Sequence, residues 1–189
     1  MVFGLIGMLV SGRLKSKFKK YSMMPLSSGL TGAEVAAKML RDSGITDVTI
    51  QSVQGQLTDH YNPQNKTVNL SPEVYQGRSV AAAAVAAHEC GHAVQHARSY
   101  QWLEMRSKLV PVVSISSNLM QYVMMAAMFG LFTFSFGKYF ILAAVVFQAA
   151  IMVFALVTLP VEFDASRRAL EYIDSSGIAG RTGAEYEGA

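Results

Sequence analysis

The distribution of apolar and polar positions divides the chain into stretches of different character. Residues 1–10, MVFGLIGMLV, are almost wholly apolar, and residues 12–20, GRLKSKFKK, mix basic with apolar side chains. Further on, Thr31 is followed three places later by Glu34, which predicts a capping-box helix start. Val35, Met39 and Leu40 fit one face of that helix, and Gly44 supplies its stop. VTIQSVQ (48–54) and TVNLS (67–71) alternate as strands do. Between them LTDHYNPQNK carries the turn signals Asn62-Pro63 and Asn65, so a small sheet of two or three strands is expected. Ser71-Pro72-Glu73 predicts a short helix with proline at its first position. An alanine-rich helix is then expected over about 78–108, with Pro111 as a break or kink beyond it. EFDASRRALEYIDSSG (162–177) reads as amphipathic and ends at a glycine, followed by the small, polar tail IAGRTGAEYEGA.

Two runs change the class of protein expected. Residues 109–137 contain no Asp, Glu, Lys, Arg or His, and after Lys138 a second such run extends through Val161. The second run alone makes a helix about 34 Å long at about 1.5 Å per residue, enough to cross a bilayer. Two in succession predict a transmembrane helical hairpin rather than a soluble core. Composition agrees, with 51% hydrophobic and only 15% charged residues. The opening segment is read as membrane-proximal: its charges follow the apolar stretch, unlike a signal peptide, and about ten to twelve residues are too few to span. Its basic flank suits anionic lipid better than nucleic acid, because no aromatic-interleaved basic surface recurs, and no nucleic-acid partner is expected.

Arg106 and Lys108 precede the hairpin and Arg167 and Arg168 follow it, against Lys138 alone at its turn. The positive-inside rule therefore puts both flanks in the cytoplasm of an integral cell-membrane protein. The expected organisation is a membrane-proximal segment (1–22), a cytoplasmic catalytic lobe (23–108), the transmembrane hairpin (109–161), and a helix with a polar tail (162–189). In fold class this is a mainly α membrane protein with a small β-hairpin or sheet. The single cysteine, Cys90, rules out an internal disulfide and reads as a small helix residue facing away from its neighbouring histidines.

The candidate chemistry lies in AAHECGHAVQHARS (86–99). His88 and His92, one turn apart on a helix, can reach one tetrahedral Zn²⁺, and Glu89 beside them has the chemistry of a general base. His96 continues the spacing, but eight residues advance a helix by about 12 Å, too far to share the ion with His88. It is therefore expected near the ligands without binding metal. A third ligand must come from elsewhere. Glu162 is favoured, because an acid at the mouth of a membrane helix is costly unless something pairs with it. Pairing with Arg167 or Arg168 is the alternative, and Glu104 and Glu171 are weaker ligand candidates.

AAHECGHAVQHA together with LVTLPVEFDASRRAL resembles the YugP-type zinc-dependent membrane peptidases and, more distantly, HtpX-like membrane proteases. The resemblance extends from KFKKYS through TGAEVA, LTDHYNP and NLSPEVY to RRAL, most of the chain. It implies a gluzincin-like HExxH lobe on the helical hairpin, with zinc held by His88, His92 and Glu162 and with Glu89 as catalytic base. HtpX-like proteins carry an aspartate four residues after the glutamate ligand. Here Ser166 holds that position and brings no charge, while Asp164 lies about 200° round the helix from Glu162. Ser166, Asp164 and His96 are the candidate supports for the ligands. By position LTDHYNP (57–63) corresponds to the edge strand that pairs with substrate, and His60 or Tyr61 is the candidate donor to a developing oxyanion. Tyr100 and Arg168 are lesser candidates. The expected function is a zinc metalloendopeptidase acting on membrane or juxtamembrane peptides. The alternative is a non-catalytic scaffold or adaptor in which zinc is structural.

Overall fold

The structure, a computed structural model, describes residues 2–128 and 137–178. The turn of the expected hairpin and most of the polar tail lie outside those residues. The chain forms two compact units, residues 1–98 with 164–189, and residues 99–163.

In the first unit, α1 (Val2–Ser22) carries the apolar opening and the basic flank on one continuous helix. The next helix, α2 (Gly32–Asp42), begins at Thr31 in the expected capping box. Glu34 N donates to the threonine hydroxyl, and the Glu34 carboxylate accepts from Thr31 N at 2.7 Å. These bonds hold the Glu34 carboxyl below its ordinary pKa. Gly44 takes the left-handed conformation, φ 73°, just past the helix end.

Three strands follow: β1 (Thr49–Ser52), β2 (His60–Asn62) and β3 (Thr67–Leu70). Their order is β1-β3-β2. β3 pairs parallel with β1 (Ile50 opposite Val68) and antiparallel with β2 (Tyr61 opposite Val68), which leaves β2 at an edge. Asp59 fixes the approach to β2, accepting from Ser71 N at 2.7 Å and from Ser71 Oγ at 3.1 Å. Ser71 in turn precedes the short α3 (Pro72–Tyr75).

The core is organised around α4 (Val80–Ala97), whose Ser79 cap accepts from Ala82 N. Its alanines let other elements come close. Ala82, Ala83, Ala86, Ala87 and Ala93 are buried against Val35, Ala36, Met39 and Leu40 of α2 and against Val68 and Leu70 of β3. Ala169 and Ile173, from the end of α6 (Gly137–Ser175), join the same core. Cys90 is fully buried there, its Sγ 3.7 Å from the Ala36 carbonyl oxygen, and burial pushes its thiol pKa up.

Gly91 decides how near α6 can come. A Cβ on this residue would lie 2.6 Å from the Ala165 carbonyl oxygen and 3.1 Å from its Cα, both backbone atoms that cannot rotate aside. Gly91→Ala is therefore expected to destabilise the lobe by about 1–3 kcal/mol, the usual cost of overpacking. A lowered thermal midpoint of the purified variant would show it. An unchanged midpoint would mean that α6 moves aside freely.

The helix expected over 78–108 is interrupted. α4 stops at Ala97, Ser99 adopts a left-handed φ of 50°, and α5 (Gln101–Met128) starts afresh. Pro111 lies inside α5, so the helical run is broken at 98–100 and continues through the proline.

The second unit contains α5 and the first part of α6. Both helices are long and apolar enough to cross a membrane. Their large apolar side chains are turned outward: Ile115 is 60% exposed, Leu142 61% and Leu156 58%. The core helix of a soluble protein would bury such residues, whereas a lipid-facing helix leaves them uncovered by protein.

Candidate metal centre

One turn apart on α4, His88 and His92 bring their imidazoles together edge to face, with ring centroids 4.8 Å apart. Glu162 reaches the same place from α6. It lies one turn before Ala165, the residue packed on Gly91, so an uninterrupted stretch of helix sets its position. One ligand atom each from His88, His92 and Glu162 lie within 4.8 Å of one another. Two imidazoles and a carboxylate at such separations form a donor set suited to a single zinc ion. Catalytic zinc sites keep a further position open beyond three protein ligands of this kind.

The outer nitrogens of both histidines are engaged. Ser166 Oγ lies 3.2 Å from His88 Nδ1, and Gln95 Oε1 lies 3.0 Å from His92 Nδ1. Gln95 Nε2 then donates to Asp164 Oδ2 at 2.9 Å. Asp164 also accepts from Arg168 Nε at 2.6 Å and from Arg167. Asp164 does project away from Glu162, and from there it meets Gln95. Both Arg167 and Arg168, the alternative partners considered for Glu162, pair with Asp164. Glu162 itself lies 3.7 Å from Arg106.

Glu89 is buried beside the ligands. Burial raises its carboxyl pKa, and His92, His88 and a hydrogen bond from the Tyr61 backbone oppose that rise. A carboxyl in this setting is a better proton acceptor than one in water. The backbone bond also ties β2 to α4 beside Glu89.

The remaining candidates are distributed around this group. The Tyr61 hydroxyl is 2.7 Å from His96 Nδ1, which joins the edge strand to the next turn of α4. His96 is accordingly a partner of β2 and lies outside the ligand group. The His60 side chain is exposed, with Nδ1 2.8 Å from the Thr58 carbonyl oxygen. Glu104 is exposed, as is Glu171, which lies 3.9 Å from Arg167. Gln95 is the participant that the sequence reading passed over. Its only signal was a large polar residue three places after His92, one turn further along the face that carries His88 and His92.

A family model described as "Putative neutral zinc metallopeptidase" matches residues 1–189. The chain is similar to a protein of Bacillus subtilis (strain 168) named "Putative membrane protease YugP". The two are 45% identical over 166 residues, covering 88% of this chain and 72% of the relative. No solved structure matches it.

Proposed function

The chain belongs to the family described as "Putative neutral zinc metallopeptidase", and from that premise we propose that it is an integral-membrane zinc endopeptidase cleaving membrane or juxtamembrane polypeptides. The observation that carries this reading is the convergence of His88, His92 and Glu162, with the buried Glu89 carboxyl beside them. A zinc ion held by the three ligands would polarise a scissile carbonyl and make water acidic enough to be deprotonated near neutral pH. Glu89 takes the proton from the attacking water and returns it to the departing amine. The edge of β2 that β3 leaves unpaired offers its remaining backbone groups to an extended peptide, giving affinity that depends little on side chains. Tyr61 and His60 on that strand are the candidate donors to the oxyanion. The same edge is tied to the base through the Tyr61 backbone, so peptide seated there lies beside Glu89.

Two apolar helices with outward-facing side chains support insertion in a membrane, and the basic residues flanking them support a lobe in the cytoplasm. Substrates anchored in the same bilayer then meet the site at high effective concentration. The test uses full-length protein in lipid vesicles with one peptide sequence offered in two forms, lipid-tethered and free. Faster cleavage of the tethered form, abolished by a zinc chelator and restored by Zn²⁺, is expected. Equal rates would remove the membrane-substrate part of the reading. Stoichiometric zinc without cleavage of either form would favour a structural scaffold.

A further inference from the structure

We propose that Gln95 is a positioning residue that carries the influence of Asp164 to His92 and determines which imidazole nitrogen is left for the metal. The inference rests on the reading of His88, His92 and Glu162 as metal ligands.

Gln95 is fully buried, and a buried amide needs partners at both ends. Asp164, held by Arg167 and Arg168, is ionised and has only acceptor atoms. It therefore takes the Gln95 NH₂ group, at 2.9 Å, and a rotated amide would set oxygen against carboxylate. The other end of the amide must then be its oxygen, 3.0 Å from His92 Nδ1. An oxygen there requires a proton on Nδ1, which leaves the Nε2 lone pair for a metal ion. Two arginines, a carboxylate and an amide thus select one tautomer of one ligand.

His88 is treated differently. Its Nδ1 faces Ser166 Oγ, and a hydroxyl can donate or accept. Ser166 therefore tolerates either tautomer where Gln95 imposes one. The glutamine also keeps the Asp164 charge one residue away from the ring, unlike a carboxylate bonded directly to a ligand histidine.

The experiment uses the full-length chain in detergent, stripped of metal. Zn²⁺ and Co²⁺ affinities are measured by chelator competition, together with the visible spectrum of the Co²⁺ form and the thermal unfolding of the metal-free protein. Gln95→Leu is expected to weaken binding about 10- to 100-fold and to alter the Co²⁺ bands. Ser166→Ala is expected to weaken binding by less than Gln95→Leu does, since no fixed proton is lost with the hydroxyl. The decisive variant is the pair Gln95→Glu with Asp164→Asn. The carboxylate introduced on α4 accepts both from His92 Nδ1–H and from the side-chain amide introduced on α6, so the chain of bonds re-forms with its charge displaced by one residue. Affinity and spectrum should return close to those of the parent, a recovery that a merely space-filling role for Gln95 does not predict. Parental affinity in Gln95→Leu would overturn the proposal, as would failure of the double variant to recover binding. A parent chain that bound neither ion while His92→Ala behaved identically would instead remove the metal reading itself.

Discussion

Glu89→Gln is expected to keep zinc at the parental stoichiometry while peptide cleavage falls by about 10²- to 10⁴-fold, the range that a positioned general base contributes. The amide matches the carboxylate in shape and still accepts from the Tyr61 backbone, so neither α4 nor β2 has reason to move. What disappears is a group able to take and return a proton. Stability supplies a second readout. Burial raises the pKa of Glu89, which means that its charged form costs folding free energy above that pKa. A neutral amide removes this cost, and the metal-free variant should unfold at the same temperature as the parent or higher. Loss of activity without loss of stability is the pattern of a residue kept for chemistry. Cleavage at the parental rate would place the base elsewhere.

Glu162→Ala should lower zinc affinity by more than about 100-fold, beyond the range typical of residues that merely support a ligand. It leaves two histidines on one helix, and nothing from α6 completes the set. Glu104→Ala and Glu171→Ala serve as controls, because both residues are exposed and should leave zinc binding unchanged. The variant also deprives Arg106 of the carboxylate 3.7 Å away. A parallel Glu162→Gln, which keeps the volume and an acceptor oxygen, separates loss of ligand charge from loss of packing. Full zinc occupancy in Glu162→Ala would require another ligand, and the proposed mechanism would have to be redrawn around it.

These tests depend on features that differ in how far local sequence reveals them. Thr31 with Glu34, and His88 with Glu89 and His92, are encoded within three or four residues, so helix geometry makes them readable. The apolar runs are readable because a charge-free stretch of that length has few destinations other than lipid. The helix break at 98–100 is not readable. Arg98, Ser99 and Tyr100 are tolerated in helices, and the left-handed Ser99 carries no glycine to announce it. The bond from Gln95 to Asp164 spans 69 positions along the chain and depends on how closely Gly91 lets α6 approach α4. Helical angles alone turn Asp164 away from Glu162. What lay in the direction it faced needed the second helix.

One property of α6 has a mechanical meaning. Glu162, Asp164 and Ser166 stand within little more than one turn of continuous helix, a rise of about 6 Å. A candidate ligand, the carboxylate that holds Gln95 and the hydroxyl that faces His88 are thus mounted on the same rod. Pro160, which breaks a backbone hydrogen bond of that rod, lies just upstream. Glu162, Asp164 and Ser166 therefore share one support, and whatever bends or unwinds that single turn of helix disturbs all three at once.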